Sequence, residues 1–272
     1  MAQNVRVALL VGAGDAIGAA VARRFAKGGY TVCIARREAE KSKALADELK
    51  AQGQTLHAFS VDARKEEQVQ ALFAQVEREI GPIEVCLFNA GANVNKPLLE
   101  TTEKLFFRAW ELACYAGILV GREAAKHMVA RGRGTMLFTG ATASVRGGIG
   151  FAAFSSAKFG LRAVAQAMAR ELGPNNLHVA HLLLDAAVNS DAIHQRMKAA
   201  RGSMQKTSRP IALLIWLRSL KPIGLFIIKL GTAGRSSSTC ALRWRSGDGG
   251  RSHPLGRWHR SDHPSSLGAF RT

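Results

Sequence analysis

Phe154 and Lys158 stand four residues apart in "GIGFAAFSSAKFGLRA", residues 148–163, a spacing that puts both on one face of a helix. A lysine ammonium placed beside a phenol lowers its pKa and makes it a proton donor. Phenylalanine has no hydroxyl, so Lys158 must serve another end. Near the start of the chain, Gly12, Gly14 and Gly18 fall in "VGAGDAIGAAVARRFAKGG", with Ala16 among them and a helix predicted from about Ile17. Glycines there let the backbone turn tightly and approach a pyrophosphate, whose charge then rests against a helix N-terminus. The spacing is not the strict G-x-G-x-x-G, and a plain tight turn is the alternative.

Two further groups extend that chemistry. Arg36 and Arg37 lie in "TVCIARREAEK", where an NAD site would carry a ribose-binding acid. Guanidinium groups match a 2′-phosphate in charge and in forked geometry, which favours NADP(H). Glu38 close behind keeps NAD(H) open, and solvated helix-start arginines are the ordinary reading. Asp62 in "SVDARKEE" precedes a helix that it would cap if it has no other task.

These residues need a frame. Six short runs, RVALLVG, YTVCIA, TLHAFSV, IEVCLF, GTMLFTG and LHVAHLLL, read as strands, most of them apolar on both faces. Amphipathic stretches such as "EAEKSKALADELKAQ" and "KEEQVQALFAQVEREI" separate them. The alternation predicts an α/β fold, a three-layer Rossmann-type doubly wound parallel sheet with helices on both faces.

The chain of 272 residues accommodates one such domain over 1–200 and a different segment over 201–272. The net charge is +18, yet thirteen of the basic residues and only two acids, Asp248 and Asp262, lie from Arg201 onward. That segment has no glutamate, holds three of the four tryptophans and shows no steady period. A mobile basic tail, a helical hairpin or oligomer contact at 211–230, and translation in a shifted reading frame are its three readings. "IALLIWLRSLKPIGLFIIKL" is apolar enough to raise a membrane span, but Arg218, Lys221 and Pro222 near its middle argue against one. "RWRSGDGGRSHPLGRWHRSDHP" interleaves arginine with tryptophan, the pattern of phosphate contact and base stacking; nucleic-acid binding is nonetheless the weakest of the functional readings. Cys33, Cys86, Cys114 and Cys240 stand singly, with no metal or disulfide spacing, so a reducing cytoplasm is expected and no metal is.

The glycine-rich turn, Asp62 after the third strand, "NAG" at 89–91 after the fourth and Lys158 on a helix after the fifth together resemble the short-chain dehydrogenase/reductase family over residues 5–195. The resemblance implies that Gly12, Gly14, Ala16, Ile17 and Gly18 hold the diphosphate. It also implies that Arg36 and Arg37 choose the cofactor, that Asp62 contacts adenine, and that Asn89, Ala90 and Gly91 shape the adenosine side. Ala16 replaces the family's central glycine and adds a methyl group near the phosphates. The family's serine, tyrosine and asparagine positions fall on Ala141, Phe154 and Ala113; of the four catalytic positions Lys158 alone is kept. Thr142, Ser144, Ser155 and Lys158 itself are the groups available to replace the lost donors. In the nicotinamide-binding segment Asp185 and Ala186 replace proline and glycine, while Val188 and Ser190 match the carboxamide contacts. Past Arg201 the family's lid helices, further strand and glycine-rich end are not found.

Two functions follow. One is an NADP(H)-dependent oxidoreductase acting on a small carbonyl or alcohol substrate, with Lys158 holding ribose and Thr142 or Ser144 as substitute donor. The other is a non-catalytic nucleotide-binding protein serving as sensor or oligomer partner. The family resemblance implies a homodimer or homotetramer through helices around 102–131 and 152–173.

Overall fold

A computed structural model describes residues 5–91, 93–184 and 227–228. Contacts divide the chain into Met1–Arg235 and Ser236–Thr272, and every described residue belongs to the first unit.

Six parallel strands form where the β-branched runs occur: β1 Val7–Val11, β2 Thr31–Arg36, β3 Leu56–Ser60, β4 Ile83–Phe88, β5 Gly134–Ala141 and β6 Leu177–Leu184. They lie in the order β3-β2-β1-β4-β5-β6. The described helices are α1 Ile17–Lys27, α2 Lys43–Ala51, α3 Glu66–Glu79, α4 Glu103–Trp110, α5 Ala116–Arg131 and α6 Ala152–Leu172. This is the doubly wound three-layer arrangement that the alternating pattern requires.

The sequence offers no seventh strand, but the structure has one. Ile227–Ile228, β7, pairs in parallel with Leu183 and Leu184 of β6. Two residues are too few for a period-2 pattern to stand out within a long apolar run, which is why the strand is not legible there.

Side chains alternate across the pleat and build two cores. Leu9, Cys33, Phe88, Met136 and Phe138 pack on one face with Phe73 of α3, Leu119 of α5 and Leu161 of α6. Leu10, Ile34, Leu87 and Leu137 pack on the other with Val21 and Phe25 of α1 and Leu49 of α2. Because β1 sits between β2 and β4, the chain reverses its direction of progress there, and a crevice opens beyond the carboxyl ends of β1 and β4.

One irregularity bears on the site. Between α4 and α5 the residues Glu111–Tyr115 form a π-helical turn, so Glu103–Arg131 is one long helix with a widened middle. Thr102 caps its start by accepting from the Leu105 amide at 3.3 Å. Gly117 lets α6 approach: a Cβ there would come within 2.4 Å of Leu161 Cδ1. Among the described residues no helix is long and apolar enough to cross a membrane.

Candidate functional site

The first turn after β1 is built by close backbone contacts. Gly12 has φ +79°, and a Cβ there would sit 2.4 Å from the Ala90 amide nitrogen, so both conformation and space demand glycine. A Cβ on Gly18 would meet Ala13 Cα at 2.5 Å, whereas one on Gly14 would meet nothing within 4 Å. The turn is therefore locked at both ends and open at its middle, next to Ala16 and the first helical residue, Ile17. The first turn of α1 carries no acid, leaving its amide dipoles available to an anion.

Asn89 ties this turn to the end of β4. Its amide nitrogen donates to Val11 O at 2.8 Å and its Nδ2 to Gly12 O at 3.1 Å, while its buried Oδ1 has no partner among the described residues. Gly91 continues the segment toward Lys158, whose Nζ lies 3.2 Å from where a Gly91 Cβ would stand. "NAG" thus joins the glycine turn to the lysine.

Lys158 is buried at 4 % exposure, and its Nζ donates to Thr139 O at 2.8 Å. Burial pushes its pKa down to about 8, because charge is disfavoured away from water; the nearby Cys114 opposes this. Three elements meet at this amine: the end of β5, α6, and the π turn that carries Ala113 and Cys114. Cys114 Sγ would be 2.7 Å from a Cβ on Gly160, so α6 also touches the π turn.

Ala141 ends β5, and Phe154 lies one turn before Lys158, half-exposed and tilted against Phe151 at 6.3 Å. Thr142 opens the short 3-10 turn that follows Ala141 and is half-buried. Ser144 closes that turn and is fully buried; its Oγ accepts from the Ala141 amide at 3.1 Å. Ser155 is likewise buried, with its Oγ unpartnered among the described residues. Of the candidate replacement residues, Ser144 and Ser155 are buried and Thr142 is half-buried.

His181 of β6 is a further polar residue of this region that its strand pattern conceals. It is 3 % exposed, neither ring nitrogen has a hydrogen-bond partner among the described residues, and its Nε2 lies 2.4 Å from where a Gly140 Cβ would stand. The Ser144 hydroxyl lines the same space. Burial, then the cations of Lys158 and Arg162, push its pKa down to about 4. The ring is therefore neutral at pH 7.

At the adenosine end each carboxylate has taken a base. Arg64 grips Asp62 with Nε on Oδ1 at 2.9 Å and Nη2 on Oδ2 at 2.6 Å, and reaches Glu111 at 3.3 Å. That fork, first among several causes, holds the Asp62 carboxyl below the usual carboxylate range. A carboxylate has further lone pairs, so an adenine amino group can still be accepted. Arg36 donates through Nη1 to Asp15 Oδ1 at 2.7 Å, and Lys41 pairs with Glu38 at 2.7 Å. Arg37 is exposed and makes no ion pair among the described residues. Sequence reading missed Arg64 and Asp15 as partners, although both stand within motifs it singled out.

Val188 and Ser190, with Asp185 and Ala186, lie outside the described residues. Among the described residues no group of three or more metal-ligating side chains gathers. Burial pushes the thiols of Cys33 and Cys86 up to about 12, which leaves them unreactive core groups. The residues present fit a dinucleotide: a glycine cradle that added Cβ atoms would fill, an open helix N-terminus, an unpartnered buried Asn89 Oδ1, and an amine at the far end.

The family model of the short chain dehydrogenases matches residues 6–199. A short-chain dehydrogenase structure from Rhodopseudomonas palustris is 51% identical, with a TM-score of 0.65, covering 72% of this chain and 91% of that one. A short-chain dehydrogenase/reductase of Armillaria gallica is 32% identical over 178 residues, 64% of this chain and 68% of its own length. The 3-oxoacyl-[acyl-carrier-protein] reductase of Mus musculus is 29% identical over 174 residues, 64% of this chain and 72% of its own.

Proposed function

Because the chain belongs to the short-chain dehydrogenase family, we propose that it is an NADP(H)-dependent oxidoreductase interconverting a small carbonyl compound and its alcohol through a site without the usual tyrosine and serine. The observation that carries the reading is Lys158: a buried amine held by Thr139 O and set against Gly91, at the end of the segment that also locks the glycine turn. A nicotinamide dinucleotide, when bound, supplies or accepts the hydride. The turn from Gly12 to Gly18 and the N-terminus of α1 hold its diphosphate, Asp62 receives adenine, Arg36 and Arg37 attract a 2′-phosphate, and Val188 and Ser190 hold the carboxamide.

On this reading Lys158 orients the ribose hydroxyls. With its pKa near 8 it is charged at pH 7 yet close enough to that pH to release and recover a proton. The proton delivered to the carbonyl oxygen comes from Thr142 or Lys158, and Ser144, closed off at the base of its turn, serves chiefly to hold the Ala141 amide. Phe154 keeps the aromatic volume without donating. Losing a positioned acid costs roughly 10²- to 10⁴-fold in rate, so slow turnover is expected. The protein acts in the cytoplasm as a homodimer or homotetramer; exposed Phe107 and Trp110 of α4, Ile118 of α5 and Phe159 of α6 support assembly through these helices. Residues 201–272 differ in composition from the oxidoreductase domain of 1–200, and Ile227–Ile228 within them pair with β6 of its sheet.

The alternative is a non-catalytic nucleotide-binding protein, favoured by the coincidence of Phe154, Ala141 and a buried Ser144. Titrating NADPH and NADH, then following absorbance with aldehydes, ketones and quinones, separates the two. Cofactor oxidation by any panel member supports the enzyme; binding with no oxidation across the panel, joined to activity appearing in the Phe154→Tyr, Ala141→Ser double variant, supports the binder.

A further inference from the structure

Two of the bases at the cofactor-selecting end of the crevice, Arg36 and Lys41, are already paired from within. Arg36 is the base best placed for a 2′-phosphate by its position at the end of β2, and its side chain is 18% exposed. Its Nη1 is spent on Asp15 Oδ1 at 2.7 Å, with a longer contact to Lys41 O at 3.5 Å. Lys41 in turn is paired with Glu38. Asp15 belongs to the glycine turn, and its side chain is 81% exposed, so it lies on the approach to the arginine and is not a pillar of the core. A cavity of about 180 Å³ opens here, lined by Gly14, Asp15, Arg36, Lys41 and Ser42 among others. The hydroxyl of Ser42, a residue only 3% exposed, is buried there with no partner among the described residues.

We propose that Asp15 is a specificity-determining residue that competes with the cofactor's 2′-phosphate for Arg36 and so sets how far this chain prefers NADPH to NADH. The inference rests on the NADP(H) reading above. A phosphate dianion reaching Arg36 has to displace the Asp15 carboxylate from Nη1 and then remain beside it. Both effects act on the 2′-phosphate, which NADH lacks; any repulsion between Asp15 and the diphosphate is common to both cofactors and cancels in their ratio. Exposed ion pairs are worth at most about fivefold in an equilibrium constant, and the like-charge repulsion is of similar size, so together they amount to about tenfold.

The test uses the full chain and two probes that share adenosine and differ by one phosphate, adenosine 2′,5′-bisphosphate and 5′-AMP, with binding measured by titration calorimetry. Asp15→Asn is expected to tighten the bisphosphate about tenfold and to leave 5′-AMP within about twofold. That gain is expected to vanish in an Arg36→Met background. Asp15→Ser serves as a second variant should the asparagine alter the turn, and thermal melts check that each is folded. The proposal is overturned if the Asp15 variants shift both probes equally or neither, or if the gain persists without Arg36. Arg36→Met weakening the bisphosphate while the Asp15 variants change nothing would keep the NADP(H) reading and remove Asp15. Wild-type protein that binds 5′-AMP as tightly as the bisphosphate, with Asp15→Asn still improving only the latter, would remove the reading and keep Asp15. Failure of every form to bind either probe overturns both.

Discussion

His181 makes the fold acid-labile in a way that can be isolated. The ring is buried between β6 and the Gly140 backbone, no described group accepts or donates to it, and the nearest cations, Lys158 and Arg162, oppose its protonation. Its pKa is about 4 in the folded chain against 6.5 in the unfolded one. Between those values the unfolded chain takes up a proton that the folded chain refuses, so stability is full above pH 6.5 and falls as the pH drops toward 4. The whole loss is about 3 kcal/mol, of which about 2 kcal/mol has gone by pH ~5. Lys158 shifts in the same sense but in a different window: its contribution rises with pH between about 8 and 10.5 and is flat below. Asp62, held below its usual value by Arg64, loses its contribution only as the pH falls below 3.8. His178 is also pushed down by burial and adds to the slope of the wild type, so the difference between proteins is the diagnostic quantity. Urea unfolding of wild type and His181→Leu at several pH values from ~7.5 to ~5 is the assay. The wild type should lose about 2 kcal/mol more than His181→Leu toward the acid end. Parallel curves would show that His181 is either hydrated or protonated in the folded chain, and the burial argument would fail.

Four other outcomes follow from the same structure. Lys158→Met should raise stability at pH 7 by about 1–3 kcal/mol, because a buried charge is removed, while weakening NADPH binding at least about tenfold; chemical denaturation and fluorescence titration read the two opposing effects. Gly12→Ala combines a left-handed φ with a backbone clash at Ala90, and should cost more than about 2 kcal/mol and abolish nucleotide binding, seen as a lowered melting temperature with no cofactor-induced rise. Gly117→Ala meets side chains, the tip of Leu161 and then the Phe88 ring at 3.1 Å, and no backbone, so a smaller loss of about 1–3 kcal/mol is expected, partly recovered when Leu161→Ala is added, in a double-mutant cycle. Arg64→Met removes the guanidinium from both oxygens of Asp62, leaving the backbone amide of residue 64 on Oδ1, and should raise the carboxyl's pKa, observable by NMR titration, with a loss of 5′-AMP affinity of a few-fold.

Local patterns were enough for the frame. Alternation of apolar runs with amphipathic stretches specified six strands and their helices, because side-chain period is a property of the backbone that forms it. The glycine turn, "NAG" and Lys158 were legible too, and the structure brings them together as one continuous line from Gly12 through Asn89 and Gly91 to the lysine amine. Less was legible where a pattern is too short or too ordinary to register, as with β7, or the widened turn at Glu111–Tyr115 that any helical sequence would read through.

What a charged or polar residue does was the part that sequence alone left open. Arg36 is an arginine at the right place in either reading; that its Nη1 faces Asp15 follows only from the stacking of β2 against the glycine turn, twenty-one residues away in the chain. Ser144 and Thr142 differ by two positions, yet the 3-10 turn buries Ser144 with its hydroxyl on the Ala141 amide and leaves Thr142 half-buried. His181 sits in a strand as an interruption of "LHVAHLLL", and only the neighbouring strand reveals that it fills the space over Gly140. Periodicity is set by neighbours along the chain, whereas hydrogen-bond partners within about 3 Å, and the loss of water that moves a pKa, are set by elements that meet across it.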